Sequence, residues 1–486
     1  MKTLLERKIS LVVIILQFLV SLLVCIYFGT TGLVPVKYMV AIAVVMVVLL
    51  VYQVMSQLTN SSYIFGRVLA VLFCAVFLVG ANYVRESMAA FQNVGGATKK
   101  VDVISFYVMK DDAAKTLADA KNYSFGILRQ QDRENTDKAV QDASKKLNKT
   151  LNTVEYDDPL TMVDALYAKE VQAIIMNKSF VDTVKSQYKT FSTDTRELDT
   201  SKIESEVEEL VDTDVTTKPF NVYISGIDVY GAIETNSRSD VNIIAEVNPT
   251  THQILLVTTP RDYYVEIPEV SGGQKDKLTH AGIYGVDKSM KTLEKLYDTN
   301  LDFYARVNFT SLITMVDALG GVDVESEYAF TTSEDSGLVM DVVQGTNHFN
   351  GKQALAFSRE RQNVPGGDNQ RGKDQQAVIT AMIKKMVSPA ILTGANGILN
   401  SVSGNVETNM SEDQIQELIK TQLSENPQWT ITSMAAEGTG DTQYCYSYSG
   451  KPLYVMQPNQ ESVDAIKEAM DKVENGETLE GGTTTE

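Results

Sequence analysis

The chain has 486 residues, more than one average domain holds, with a formal net charge of −19 and a pI near 4.7. So acidic a chain is repelled by phosphate backbones, which excludes nucleic acid as its main partner. Its three cysteines, Cys25, Cys74 and Cys445, are too few and too scattered for a disulfide framework or a CxxC metal site.

Three apolar stretches open the chain, at about 9–28, 34–55 and 65–84. Each approaches the roughly 20 residues a helix needs to cross a bilayer. Only Lys37 and Arg67 are charged within them, both near an end, where a long side chain reaches the interface. The first stretch alone would also suit a cleaved signal peptide, but two more spans follow and no small-residue cleavage site stands out. Lys2, Arg7 and Lys8 before the first span, and Arg67 at the start of the third, place those ends in the cytoplasm. An odd number of spans then puts everything after about Glu86 outside, so a multi-pass cell-membrane protein with a large extracytoplasmic part is expected.

From about 98 to 215 strand and helix patterns alternate. "VDVISFYVMK" reads as a strand, "DDAAKTLADA" as a helix capped by Asp111 or Asp112, "SFGILRQ" as a strand, "ENTDKAVQDASKKLNKTL" as a helix and "VQAIIMNKSF" as a third strand. The pattern predicts a small α/β unit with a parallel sheet and no catalytic constellation. It reads either as a spacer or as a ligand or partner site. The acidic 192–219 stretch predicts a helix near 201–210 and then a linker ending at Lys218-Pro219.

The next unit opens with the strand "FNVYISGIDVY", followed by "DVNIIAEVN" and "HQILLVTTP" as a hairpin turning at Pro249-Thr250. Then come the helix "GVDKSMKTLEKLYD", the strand "FYARVNF", and the helix "TSLITMVDALGGVDV" ending at Gly320-Gly321. A short helix in "NGKQALAFSRER" and a longer one in "DQQAVITAMIKKMV" complete a mixed α/β domain. The last hundred residues hold a helix, "SEDQIQELIKTQL", a Tyr-rich patch, "QYCYSYSG", and a low-complexity end, "ENGETLEGGTTTE", expected to be disordered.

Polar residues collect at element ends in this second domain: Asp228, Arg238, Asp240, Arg261, Asp262, Arg359, Arg361, Asp368, Arg371, Gln375 and Gln376. Each group has a plain explanation alone. Arg261-Asp262 suits a solvated turn, Arg359 and Arg361 would complement a helix dipole, and "PGGDNQRG" would be an ordinary loop. Together they describe a chemistry. Guanidiniums grip phosphate oxygens bidentately, and Asp228 with Asp240 would hold Mg²⁺, a hard ion that works with phosphates. Strand alternation puts residues 238 and 240 on one face. No Walker A loop and no GxGxxG follow a strand, so a nucleotide is not indicated. His280 reads as a base or as a structural hydrogen-bonding residue, and His252 and His348 as surface or turn residues.

Six segments in order, "NSRSDVNIIAEVNP", "LLVTTPRDYYVEIP", "DKLTHAGIYG", "LGGVDVE", "GTNHFNGKQALAFSRER" and "GGDNQRGKDQQ", resemble the successive motifs of the LytR-CpsA-Psr family over about 220–386. The three spans and the 98–215 unit resemble its capsule-associated, CpsA-type branch, by architecture more than by motif. The resemblance implies an α/β chain in four parts: a membrane anchor with three transmembrane helices (1–86), an accessory α/β domain (98–215), a mixed-sheet catalytic domain (219–390) and a C-terminal extension with a disordered tail (391–486). It implies a phosphotransferase of the Gram-positive envelope that moves a glycopolymer, on this branch capsular polysaccharide, from a polyprenyl-pyrophosphate carrier to peptidoglycan. Capsule-assembly proteins are then further partners, and Mg²⁺ or Mn²⁺ is the cofactor.

Carried over by residue, Asp228 and Asp240 match the metal-binding acids. Arg238, Arg261, Arg359, Arg361 and Arg371 match the arginines that grip pyrophosphate, and Gln375 a further polar contact. Arg238 and Arg261 count as catalytic also, with Asp262 and Asp368 as candidates to take the acceptor proton. Asp374 departs from the pattern, because many members carry an Arg just before the paired Gln. The prenyl chain needs an apolar slot, for which 312–319 and 377–386 are candidates, with ordinary core packing as the alternative. Two other functions fit the same residues: a non-catalytic, attenuator-type sensor of the pyrophosphate lipid, and a pyrophosphatase that delivers the phosphate to water.

Overall fold

The computed structural model describes residues 4–31, 34–58, 63–91, 99–206, 212–227, 236–388, 406–479, 481 and 483–484. Helices α1 (Leu4–Thr31), α2 (Val36–Leu58) and α3 (Tyr63–Phe91) pack together, and each holds a segment long and apolar enough to cross a membrane. Their polar side chains find one another, as an apolar surround requires: Ser10 Oγ donates to Gln57 Oε1 at 2.7 Å, and Arg67 Nη2 to Ser10 Oγ at 2.9 Å.

The accessory unit is built from β1 (Lys99–Met109), β2 (Ser124–Leu128), α4 (Arg133–Leu147), β3 (Asn152–Tyr156), α5 (Pro159–Tyr167), β4 (Ala173–Asn177), α6 (Val181–Gln187), α7 (Phe191–Asp194) and β5 (Thr195–Glu206). Its sheet runs β3-β2-β4-β1-β5. The expected parallel sheet is corrected to a mixed one: β3, β2 and β4 are parallel, but β1 and β5 join antiparallel. The helix expected in "DDAAKTLADA" does not form. Asp112 Oδ1 accepts from Ala114 N, and Asp119 Oδ2 from Lys115 N and Thr116 N, so these carboxylates capture the amides a helix would need. The helix expected at 201–210 gives way, as far as Glu206, to strand β5. Its register on β1 skips Leu198, a bulge, and both Leu198 and Ile203 pack on the unit's core.

The second unit comprises β6 (Phe220–Ile227), β7 (Ser239–Asn248), β8 (Gln253–Thr258), β9 (Tyr264–Glu266), β10 (Lys275–Lys277), α8 (Leu278–Tyr284), α9 (Val286–Tyr297), β11 (Phe303–Asn308), α10 (Phe309–Ala318), β12 (Val322–Ser326), β13 (Phe330–Thr331), β14 (Asp341–Val342), β15 (Gly345–Phe349), α11 (Gly351–Arg359), α12 (Asp368–Met386), β16 (Val406–Thr408), α13 (Glu412–Glu425), β17 (Thr430–Ala435), β18 (Gly438–Cys445), β19 (Tyr448–Pro458), α14 (Gln460–Glu474) and β20 (Thr483–Thr484). Seven strands form its sheet in the order β16-β11-β6-β7-β8-β17-β20, with the β6-β7-β8 meander at the centre. Alternation buries both faces. Tyr223, Ile244 and Leu255 pack under α9 and α14, while Ile243, Ala245 and Leu256 face α12 and α13. The chain is thus a mixed α/β protein with three apolar N-terminal helices.

The stretch 391–486, expected as an extension, supplies β16, β17 and β20 to this sheet and α14 to its core. The end expected to be disordered is tied down in its described part. Leu479 packs on the core, Gln253 Nε2 donates to Glu477 O at 3.1 Å, and Thr483 pairs with Ile431. Capping boxes fix where the helices around the site begin: Asn308 with Ser311 for α10, and Asn350 with Gln353 for α11.

Candidate active site

The site lies at the entrance of β7. Ser239 turns inward, where its hydroxyl is 2.8 Å from Ser225 Oγ and 3.0 Å from the Tyr223 hydroxyl. The β6–β7 register then shifts between Gly226 and Ile227, a bulge that re-aims the strand at Asp240. Gly226 is required there, because a Cβ would come within 2.6 Å of Val241. Asp240 takes a hydrogen bond from Thr279 Oγ1 on α8 at 3.1 Å and an ion pair from Arg261 Nη1 at 3.0 Å. Burial alone would push the Asp240 carboxyl up, but the charges of Arg261, Arg238 and Arg371 more than offset it and hold the pKa below its ordinary value. Asp240 is therefore ionised at neutral pH.

Helix α11 with the turn after it, and helix α12, bring further cations to the same cavity. Arg359 ends α11, its guanidinium 4.4 Å from the Phe309 ring centre, a cation–π contact that fixes its plane. Arg361 follows after a sharp turn built by Glu360, whose buried carboxylate accepts from the amides of Ser333, Arg361, Gln362 and Asn363. Burial opposes the charge on Glu360, but these amides keep its pKa lowered. Arg371 and Gln375 sit one turn apart on α12. With Asp240 and Arg261 these residues line one cavity of about 190 Å³. The rest of its lining is mixed: apolar Ile224, Val307, Leu312, Leu355, Val378 and Ile379, with polar Asn308, Ser333, Asp335 and Ser358 among them. Of the candidate slot residues, Leu312, Val378 and Ile379 face this cavity, whereas Leu319, Ala381 and Met382 are ordinary core.

A second cavity of about 550 Å³ shares Asp240, Arg261, Arg371 and Gln375 with the first and is walled by Asn242, Thr259, Lys373, Glu437 and Tyr454. Asp262 opens into this one, with Lys277 Nζ at 2.7 Å from its Oδ1. The two cavities meet at Asp240, Arg261, Arg371 and Gln375, so an extended ligand can reach from one into the other past these residues, with Arg359 and Arg361 on the side of the first.

Arg238 is half-buried and lines neither cavity, yet its charge reaches Asp240. Asp368 opens α12, and its side chain is outside the described residues, as is the whole of Asp228. Gln376 turns away to the sheet, donating to Leu256 O and Met434 O. Asp374, buried, takes a hydrogen bond from Gln370 Nε2 at 3.0 Å and also lines neither cavity. His280 has the structural role: its Nδ1 lies 2.6 Å from Asp276 Oδ1 and it is buried. Sequence reasoning missed Thr279, Glu360, Phe309 and Lys277. Thr279 and Glu360 sit directly beside named residues, His280 and the two arginines, which was the available signal. Phe309 and Lys277 are brought in only by the fold. Among the described residues no group of three or more His, Cys, Asp or Glu comes together as a ready-made metal site.

The LytR_cpsA_psr family model matches residues 181–472. A second model, for DNA polymerase processivity factor, matches 60–176, a stretch that takes in the third apolar helix and stops inside β4, so it does not coincide with a folded unit. The chain is similar to the polyisoprenyl-teichoic acid–peptidoglycan teichoic acid transferase TagU of Bacillus cereus (strain AH820), 36% identical over 205 residues, covering 42% of this chain and 65% of that protein. It is also similar to TagU of Oceanobacillus iheyensis, 35% identical over 212 residues, covering 42% and 63%. The chain thus spans just under two thirds of the length of these relatives. Among solved structures, B. subtilis TagU aligns at 28% identity with a TM-score of 0.40, covering 53% of this chain and 96% of that one. TagT bound to LI-WTA aligns at 27% identity with a TM-score of 0.42, covering 56% and 96%.

Proposed function

The chain belongs to the LytR_cpsA_psr family, and from that premise we propose that it is a membrane-anchored phosphotransferase that moves a glycopolymer from a polyprenyl-pyrophosphate carrier to peptidoglycan. One observation carries this reading: an ionised Asp240 and four arginines (261, 359, 361 and 371) line one cavity together with a set of apolar side chains. The arginines suit a pyrophosphate, the apolar side chains a prenyl chain, and the adjoining polar cavity the sugars. On this reading an acceptor hydroxyl attacks the glycan-side phosphorus and the P–O bond to the bridging oxygen breaks. Prenyl phosphate leaves with that electron pair, and the acceptor proton passes to a base. Arg261, Arg359, Arg361 and Arg371 hold the phosphate oxygens in place and stabilise the charge that shifts onto the leaving group. Asp262, facing the polar cavity, and Asp368 are candidates for the base.

Asp240 suits one ligand of a hard divalent ion, which takes one or two carboxylates beside phosphate oxygens, and Asp228 is the proposed second. Mg²⁺ or Mn²⁺ held there would offset negative charge on the departing phosphate. The polymer we propose is a capsular polysaccharide, on the strength of the three spans and the accessory unit. The relatives named above bear names for teichoic acid. With three spans and a basic N-terminus, the site faces the outer side of the membrane.

The test is release of phosphate from a polyprenyl pyrophosphate by the full chain in detergent, with and without Mg²⁺. Asp240→Ala and Arg261→Ala should each lower metal-dependent release at least ~100-fold. Binding without release in all three proteins would replace the transferase with a sensor. Release with no product linked to peptidoglycan would make it a hydrolase.

A further inference from the structure

Among the described residues, the 98–215 unit reaches the segment that leads into β7 through a buried carboxylate. Asp102 of β1 and Asn236 are each 4% exposed, and Asn236 Nδ2 donates to Asp102 Oδ1 at 2.8 Å across 134 residues of chain. Asp102 is itself braced from two other elements of its unit. Asn177, at the end of β4, donates to its Oδ1 at 3.1 Å, and Asn135 of α4 to its Oδ2 at 3.3 Å. The same two amides also hold Asp132, at 2.8 and 2.7 Å. The acceptor offered to Asn236 is therefore part of a fixed frame.

Asn236 stands two residues before Arg238 and four before Asp240. The residues between are pressed against α8: a Cβ on Gly282 would lie 2.5 Å from Ser237 O and 2.9 Å from Ser239 N. The same helix holds Asp240 through Thr279 and docks on the accessory unit through Tyr284, whose ring meets Phe180 edge-on at 5.8 Å. Segment 236–240 is thus gripped between the large sheet on one side and the accessory unit on the other.

We propose that the accessory unit helps to build the site, and that Asp102 is a positioning residue: its hydrogen bond to Asn236 sets where Arg238 and Asp240 stand. This rests on the reading of the site as a phosphotransferase centre. A displacement of an ångström at such a centre is enough to lose about tenfold or more in rate.

The experiment is a double-mutant cycle in the full chain with Asn236→Ala, Asp102→Ala and the pair, read in two ways. The first is steady-state release of phosphate from a polyprenyl pyrophosphate with Mg²⁺. The second is amide hydrogen exchange at 236–242, with 173–177 as the internal reference. Asn236→Ala is the milder change, because Asp102 keeps Asn135 and Asn177. We expect each single variant to lower kcat ~10-fold with KM within twofold, and the pair to lose no more than either alone. Exchange at 236–242 should rise in all three, with 173–177 unchanged in Asn236→Ala. Single losses that multiply in the pair, or unchanged kcat and exchange in Asn236→Ala, overturn the proposal. If wild type releases no phosphate, the transferase reading fails, and the exchange arm alone decides whether Asp102 positions the strand.

Discussion

At Arg261 two demands meet. Its Nη1 pairs with Asp240 while the residue lines both cavities, so it must hold the carboxylate and still offer donors to a ligand. A guanidinium has five donors in a planar fork, and an ammonium is a single point charge. Arg261→Lys is therefore expected to keep the charge beside Asp240 and yet lower phosphate release ~10-fold or more. Asp374 shows the opposite situation, a charge the fold does not welcome. Burial pushes its pKa from 3.8 up to about 7, aided by Glu327 and Glu360 and opposed by Gln370 and Lys373. Between about pH 4 and 7 the unfolded chain has lost this proton and the folded chain keeps it, so stability falls as pH rises through that window. Glu246, pushed up to about 8 chiefly by burial, acts in the same direction. Asp374→Asn should raise the urea midpoint at pH 8, leave it nearly unchanged at pH 4, and flatten part of the slope between. A midpoint at pH 8 equal to wild type would show that Asp374 is ionised without cost.

At the scale of elements, α8 decides whether the β7 entrance and the accessory unit meet. An Ala in a helix is ordinarily favoured over Gly by about 1 kcal/mol. At position 282 the added Cβ would strike the backbone of 237–239, which cannot rotate away. Overpacking of this kind costs about 1–3 kcal/mol, so Gly282→Ala is expected to destabilise the protein in a urea titration and to lower turnover with it. Stabilisation by the substitution would mean that helix and strand are not in contact. The elements that sequence reasoning recovered are those whose signal is local. Strands β6, β7 and β8 are written in apolar runs and a Pro-Thr turn, and α10 in the Gly320-Gly321 pair that follows it. The misread elements depend on distant partners or on competing side chains. Strand β5 exists because β1 offers it a long edge, and "DDAAKTLADA" fails as a helix because Asp112 and Asp119 take the amides first. Arg261, Arg359, Arg361 and Arg371, each with a plain explanation alone, were singled out because several guanidiniums beside acids fit a phosphate together, and all four line one cavity. Thr279 and Phe309 were not, because threonine and phenylalanine in those patterns pack cores more often than they build sites.

At the scale of the molecule, the accessory unit and the large sheet share side chains rather than a linker alone. Leu160 of α5 packs with Cys445, Tyr448 and Val455 of the β18–β19 hairpin, and Gly450 lies so close that a Cβ there would sit 2.8 Å from Leu160 Cδ1. Tyr448 donates its hydroxyl to Gln187 Oε1 at 3.0 Å, and Gln131 Nε2 donates to Tyr446 O at 3.0 Å. Ile283 of α8 packs into the accessory core. Two units joined by a thin polar contact would unfold separately; units that share buried apolar side chains lose both cores when one opens. Leu160→Ala, which removes a buried side chain from the shared cluster, should cost about 2–5 kcal/mol. It should lower together the hydrogen-exchange protection of β4 in the small sheet and of β8 in the large one. Loss confined to β4 would mean that the accessory unit folds as an independent body. In that case any influence of Asp102 on the site would have to travel through the Asn236 bond alone.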